Sequence, residues 1–102
     1  MVIVWTLNAQ KDLRSIYNFY LTKSMKVAID MRKDILNAVK RLCYFPQMAQ
    51  VELLLNDKSF IYRSLIVRDI FKIIYRVDEK KVYIIAIWDC RQNPETLEKR
   101  IK

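Results

Sequence analysis

In the first half of the chain, apolar residues recur at the spacing of a helix. After a short run of strand-favouring residues at 2–5, Thr6 and Asn8 are residue types that cap a helix by accepting hydrogen bonds from its first free N–H groups. The apolar stripe that follows consists of Ala9, Leu13, Ile16, Tyr17, Tyr20 and Leu21. Polar residues occupy the other face, so the segment predicts an amphipathic helix of about three to four turns.

A second helical pattern follows a break at residues 22–24. Its apolar stripe consists of Ala28, Met31, Ile35, Ala38, Val39 and Leu42. Pro46 predicts its end, because the residue before a proline avoids the α region. Two helices joined by so short a connection are expected to form an antiparallel hairpin. Residues 47–57 show no clear period and end in a turn-like Asn-Asp pair.

In the second half of the chain the period changes to that of strands. Segments 60–67, 70–77 and 82–88 are rich in β-branched and aromatic residues. In the middle segment one face carries Phe71, Ile73, Tyr75 and Val77, and the other carries Ile70, Lys72, Ile74 and Arg76. The connections are short and polar, which predicts an antiparallel meander. Pro94 stands where a last helix could begin, with Glu95 in its first turn and basic residues at its end.

The predicted order is β-α-α-β-β-β-α, and 102 residues leave room for one domain. We therefore expect a single α+β domain over residues 1–102, an antiparallel twisted sheet with the helical hairpin packed on one face. The other face would be left partly open to a partner or substrate. Hydrophobic residues make up 53% of the chain and charged residues 29%, a composition that argues against disorder.

The chain is strongly basic, with 19 Lys and Arg against 11 Asp and Glu and a net charge of +8. The excess is not confined to a tail, since residues 58–102 hold 11 basic and 6 acidic residues and the preceding residues hold 8 and 5. Such a surface attracts polyanions, which makes nucleic acid, an anionic membrane or an acidic protein the candidate partners.

Two absent residue types narrow the chemistry. The sequence has no histidine, which excludes histidine bases, Ser/His and Cys/His nucleophile pairs and histidine-ligated metals. It has no glycine either, which excludes glycine-rich phosphate loops. Cys43 and Cys90 are far apart and lack a CxxC spacing, so we expect reduced thiols. We expect no metal and no cofactor.

Nothing in the sequence indicates a membrane or a secretory route. No apolar run approaches the roughly 18–20 residues of a membrane helix. The opening Met-Val-Ile-Val-Trp lacks the basic and long apolar regions of a signal peptide. We therefore expect a cytoplasmic protein without a membrane partner.

Taken in order along nearly the whole chain, these features resemble the RelE/ParE toxins of type II toxin–antitoxin systems. The matching residues near the start are Val4-Trp5-Thr6, Ala9, Asp12-Leu13, Ile16 and Tyr20, followed by residues 42–46 with their proline. The strongest match comprises Tyr62-Arg63, residues 72–78 and residues 87–94. No single motif is specific, but the ordered set is.

The resemblance implies a plasmid-stabilisation type toxin, active in growth inhibition and neutralised by a cognate antitoxin whose acidic and hydrophobic segment wraps the helices and sheet. RelE-like members cut mRNA on the ribosome, whereas ParE-like members inhibit DNA gyrase. Residue by residue, Lys72 and Arg91 fall on arginines of the ribonucleases, and Arg63 lies near their basic residues on the preceding strand. The C-terminal tyrosine of the ribonucleases is missing, because no aromatic residue follows Trp88. That departure favours the ParE-like function.

Basic residues of the sheet are the candidates for contact with nucleic acid or another target. They are Arg63, Arg68, Lys72, Arg76 and Arg91. Lys72 and Arg76 alternate on one strand face and are expected to stand beside Arg63, where they could follow a phosphate backbone. Solvated strand positions explain the same pattern almost as well, and Arg68 is predicted to be a turn residue.

If the protein is a ribonuclease, the predicted catalytic residues are Arg63, Lys72 and Arg91. Lys72 would be the base if neighbouring cations favoured its neutral amine, and the two arginines would stabilise the transition state. Other residues are predicted to have structural roles: packing for Tyr62, Tyr75 and Tyr83, and core positions for Trp5 and Trp88.

Three functions thus stay open: a gyrase inhibitor without catalysis, a ribosome-dependent mRNA endoribonuclease, and a basic binding module without toxicity. A homodimer and a toxin–antitoxin hetero-oligomer are both compatible with the sequence.

Overall fold

The computed structural model describes residues 1–55 and 60–90, in which the two predicted helices pack on one face of a five-stranded sheet. The elements are β1 (Val2–Trp5), α1 (Leu7–Leu21), α2 (Met25–Tyr44), β2 (Gln50–Val51), a 3-10 helix (Leu53–Leu55), β3 (Tyr62–Val67), β4 (Phe71–Asp78) and β5 (Lys81–Asp89). The predicted α+β class is confirmed. The last predicted helix, from Pro94, lies outside the described residues.

Both helices begin after residues whose side chains can cap a helix, and α2 ends directly before a proline. The Thr6 hydroxyl accepts from the Ala9 N–H at the start of α1, and Ser24 accepts from the Val27 N–H at the start of α2, each at 3.3 Å. These contacts satisfy N–H groups that have no partner within a helix. Helix α2 ends with Phe45 as its C-cap, directly before Pro46, as predicted. In the described ranges, no helix is both long and apolar enough to cross a membrane.

The strands lie in the order β1-β5-β4-β3-β2. Strands β2 to β5 pair antiparallel, as the short connections predict, but β1 pairs parallel to β5 from Val2 opposite Lys81 to Trp5 opposite Ile84. A parallel pair needs a long crossover, which the helices and the remaining strands supply. The sheet is therefore mixed rather than wholly antiparallel. The short β2 comes from the segment in which the sequence showed no period.

The β3–β4 turn is formed without glycine. Arg68 and Asp69 both have φ of 56°, the sign that a two-residue type I′ turn requires at both central positions. Ile70, predicted to be in the strand, belongs to this turn, and its N–H donates to the Val67 carbonyl at 3.2 Å. Its side chain packs against the core on the helix side of the sheet.

The main core lies between the hairpin and the sheet. The predicted stripe of α2 is buried throughout, and the face of β4 that carries Phe71, Ile73, Tyr75 and Val77 meets it. The fully buried side chains include Ile35, Leu42, Phe71, Ile73 and Tyr75. Burying side chains of this kind contributes roughly 1.5–3 kcal/mol each, so the hairpin is fastened to the sheet by apolar packing.

The sheet face opposite the helices, predicted to be partly open, is covered over part of its area. A second cluster of buried residues covers that part, formed by Leu55, Tyr62, Ile74, Ala86 and Trp88. The chain after β2 folds back here, with the Glu52 N–H donating to the Tyr62 carbonyl at 2.8 Å and Leu55 only 1% exposed. The expected partly open face is therefore covered in part by Leu55, which no periodicity indicated, while Ile66 on the same face stays 43% exposed.

Candidate target-binding site

Lys72 lies on the covered face of β4 and is paired with a carboxylate. Its Nζ donates to Glu52 Oε2 at 2.9 Å, and the Glu52 side chain is only 7% exposed. A ribonuclease base at this position would need neighbouring cations, yet its close neighbour is an anion. Glu52 comes from the segment without a readable pattern, so the sequence carried no signal for this pair.

Arg76, two residues along the same face, lies between two aromatic rings. Its guanidinium carbon is 4.3 Å from the centroid of the Phe60 ring and 4.4 Å from that of Tyr83. Asp78 Oδ2 lies 3.6 Å from Nη1. Cation–π contacts of this kind strengthen as the cation is desolvated. The guanidinium of Arg76 therefore packs against the rings of the sheet and is not presented to solvent as a free cation.

Arg63 lies on the opposite side of the sheet from Lys72 and Arg76. It stands opposite Tyr75 in the β3–β4 register, whereas Tyr62 stands opposite Arg76. Its Nη1 donates to the Ala49 carbonyl at 2.8 Å. The predicted cluster of Arg63 with Lys72 and Arg76 is therefore wrong, because side chains alternate between the two faces of a strand with a period of two.

Tyr75 is buried in the main core beside Arg63. Its hydroxyl donates to the Pro46 carbonyl at 2.8 Å, linking β4 to the segment that follows α2. Burial raises the pKa of Tyr75, while the backbone of Ala49 and the charge of Arg63 lower it in part. The residue therefore packs in its neutral form, as predicted for a strand tyrosine.

The raised pKa of Tyr75 predicts a loss of stability in alkali. Because the folded-state pKa lies above the unfolded value, this contribution is complete below pH 10 and is lost as the pH rises through the folded pKa. Tyr75→Phe removes one hydrogen bond and is expected to cost about 1 kcal/mol at pH 8. Above pH 10 the wild type loses stability and Tyr75→Phe does not, so the difference in their free energies of unfolding shrinks by up to about 1.4 kcal/mol per pH unit. Urea unfolding at pH 8 and pH 11 measures this difference, with Tyr83→Phe as the control. An equal difference between wild type and Tyr75→Phe at both pH values would contradict a raised pKa of Tyr75.

Arg68 is a turn residue, as predicted. Its Nη1 lies 2.7 Å from Asp34 Oδ2, and the two side chains are 39% and 45% exposed. Exposed pairs of this kind contribute about 0–1 kcal/mol. The contact joins the β3–β4 turn to α2. Arg91, the remaining candidate, lies outside the described residues.

The other candidates of the sequence have structural positions. Trp88 is buried in the second cluster, and Trp5 packs partly buried against the main core. Cys90 is exposed, but desolvation raises the pKa of its thiol and Lys72 offsets this only in part. A nucleophilic thiolate needs a lowered pKa. Among the described residues no group of His, Cys, Asp or Glu is arranged to hold a metal ion.

Shallow depressions on the helical hairpin were not predicted. One of about 520 Å³ is lined by Trp5, Gln10, Leu13, Arg14, Tyr17 and Arg32. A second of about 510 Å³ shares Tyr17 and Arg32 with it and adds Ile29, Lys33, Leu36 and Asn37. Together they form a groove, the hairpin groove, in which apolar residues alternate with cations. The helical spacing of these residues was readable, but only the packing of α1 on α2 brings them together.

Comparisons with known proteins agree with this architecture. The family model of the ParE toxin of the type II toxin–antitoxin system parDE matches residues 3–94. Among solved structures, the chain is similar to a chain of the chromosomal ParDE TA system from P. aeruginosa, with 27% identity and a TM-score of 0.71. That match covers 87% of this chain and 95% of the other. No curated protein matches the sequence.

Proposed function

The chain belongs to the ParE toxin family of type II toxin–antitoxin systems, within the RelE/ParE superfamily, and on that premise we propose that it stops growth by binding and inhibiting DNA gyrase. The observation that carries the proposal is the match of the ParE toxin model to residues 3–94. As a binding inhibitor the protein needs no base, acid or metal, in keeping with a sequence that lacks histidine.

The geometry around the basic residues supports inhibition by binding over RNA cleavage. Cleavage by attack of a 2′-hydroxyl needs a base and cations gathered around one phosphate. Arg63 and Lys72, two of the three residues that a RelE-type mechanism would use here, lie on opposite faces of the sheet and have partners within the molecule. No aromatic residue follows Trp88 to replace the missing tyrosine.

We also propose that a cognate antitoxin neutralises the protein by covering the hairpin groove. The groove combines apolar side chains with Arg14, Arg32 and Lys33. An amphipathic segment with acidic flanks fits such a surface, because its apolar side chains enter the groove while its carboxylates meet the cations. The relative from P. aeruginosa belongs to a ParDE TA system, which supports a partner of this kind.

Gyrase inhibition is tested by supercoiling of relaxed plasmid in the presence of micromolar protein. We expect supercoiling to stop, and the extent of inhibition to follow the ratio of toxin to gyrase rather than the incubation time, since a binding inhibitor acts stoichiometrically. Relaxation of the same plasmid by topoisomerase I is the control, because a basic protein that merely coats DNA would inhibit both enzymes. Undisturbed supercoiling at this concentration would remove the proposal.

The alternatives have their own readouts. In a reconstituted translation reaction, a RelE-type ribonuclease would cut mRNA between codons, and the cuts would disappear with Arg91→Ala. We expect intact mRNA. A basic binding module without toxicity would leave cell growth unchanged when expressed without its antitoxin, whereas we expect growth to stop.

A further inference from the structure

Much of the free positive charge of the described residues lies on the helical hairpin. The described sheet candidates all have partners within the molecule: Arg63, Arg68, Lys72 and Arg76. Residues 7–44 hold 8 basic and 3 acidic residues, and so carry a net +5 of the total +8. Two of these acids are engaged, since Asp12 accepts from the Ile87 N–H and Asp34 pairs with Arg68.

Helix α2 presents three of these cations in a straight row. Lys26, Lys33 and Lys40 are spaced by seven residues, which is close to two helical turns and places them about 10 Å apart along one side of the helix. All three are exposed, and the row lies opposite the buried stripe of α2. None forms an ion pair within residues 1–55 and 60–90. Asp30, Asn37 and Tyr44 lie on the same side, and we call these six residues the lysine ridge, whose three cations outnumber its one carboxylate.

We propose that the lysine ridge binds the phosphate backbone of double-stranded DNA. Duplex DNA carries one negative charge per roughly 1.7 Å, and a basic protein gains affinity by releasing the counterions condensed on it. Ammonium groups 10 Å apart over about 20 Å can therefore each reach a phosphate. An exposed helix is also a shape that the major groove, about 12 Å wide, admits.

The polar character of the lysine ridge favours DNA over an acidic peptide. An amphipathic helix binds by placing apolar side chains in a groove, and the ridge is convex, with only Tyr44 to offer apolar surface. The hairpin groove, on the side of α2 that faces α1, has the apolar floor that the ridge lacks. The two surfaces adjoin along α2, where Lys33 and Asn37 belong to both, and DNA contact belongs to the polar side that Lys26, Lys33 and Lys40 form.

Salt dependence measures how many lysines contact phosphate. For duplex DNA the slope of log K against log salt is about −0.9 per neutralised phosphate. Removing two contacting lysines is expected to reduce the slope by about 1.8. If wild type and variant bind the duplex equally at 1 M salt, this change of slope makes the variant bind about 60-fold more weakly than wild type at 100 mM salt.

The test is fluorescence anisotropy of a labelled 24-base-pair duplex with the whole protein between 50 and 200 mM NaCl. Lys26→Gln with Lys33→Gln removes two ridge charges. Lys80→Gln with Lys81→Gln removes two exposed charges at the β4–β5 turn and leaves the same net charge. We expect the slope to fall for the ridge variant and to change by less than half as much for the control. Thermal melts check that both variants fold.

An equal fall in both variants would overturn the proposal, since net charge alone would then explain binding. So would undetectable binding by wild type at 50 mM NaCl. If poly-glutamate of matched charge displaces the duplex at equal charge concentration, the ridge is a site for acidic protein instead. No gyrase is present in the assay, so its outcome is independent of the proposed inhibition.

Discussion

Lys72→Met is expected to lower the free energy of unfolding by about 3 kcal/mol, because it removes the ammonium group that is paired with the Glu52 carboxylate in a nearly dry site. Methionine keeps most of the apolar stem, so the change isolates the charge. For a chain of this size the loss corresponds to a fall of roughly 12 °C or more in Tm. Urea unfolding followed by circular dichroism measures it.

A double variant separates charge from packing. Adding Glu52→Gln to Lys72→Met replaces the buried carboxylate by a neutral amide, so the double variant is expected to be more stable than Lys72→Met alone. Lys81→Met, at an exposed position, is the matched control and is expected to stay within about 0.5 kcal/mol of wild type. A Lys72→Met variant as stable as this control would contradict a structural role for the pair.

The same variant decides between two roles for Lys72. A folded Lys72→Met protein that still inhibits gyrase at 25 °C would assign Lys72 to the structure alone. Loss of inhibition without loss of stability would place it in the target-binding surface, as the sequence predicted.

Arg76→Ala is expected to lower the free energy of unfolding by about 2–3 kcal/mol. The substitution removes a guanidinium held between the rings of Phe60 and Tyr83 at 4.3 and 4.4 Å. Two partly desolvated cation–π contacts and the buried stem of the side chain contribute together. The gain on removing Nη1, which is buried without a hydrogen-bond partner among the described residues, offsets part of the loss.

Arg76→Lys tests the planar stacking. Lysine keeps the charge but cannot lie flat between two rings, so it is expected to recover less than half of the stability that alanine loses. Thermal and urea unfolding of the three proteins measure the series. Full recovery by lysine would show that charge, through Asp78, and not stacking holds this position.

Much of the fold was predictable because its signals are local. The stripe of α2, the cap residues Thr6 and Ser24 and the stop before Pro46 act within a few residues of each other. The alternation along β4 is local as well, and the predicted set of Phe71, Ile73, Tyr75 and Val77 does share one face, against the hairpin. The parallel pairing of β1 with β5 was not, since it joins residues about eighty positions apart.

The candidate site was less predictable than the fold. The sequence identified Arg63, Lys72 and Arg76 as basic strand residues, and the family resemblance drew attention to them. Their grouping depended on register, which placed Arg63 on the other face of the sheet. Their partners Glu52, Phe60 and Ala49 lie in or beside segments without a period, where no sequence pattern indicates a contact.

The sequence by itself determined the α+β class, the helical hairpin and its apolar stripes and the basic charge, because periodicity, capping and charge are properties of neighbouring residues. Only the tertiary structure decided which cations stay free. Burial of Glu52 and Leu55 against the sheet brought Glu52 to Lys72, and the strand register brought Arg76 between Phe60 and Tyr83. Much of the positive charge that the described residues leave for a partner therefore lies on the hairpin, because the segments that engage Arg63, Lys72 and Arg76 meet the sheet only in the folded chain.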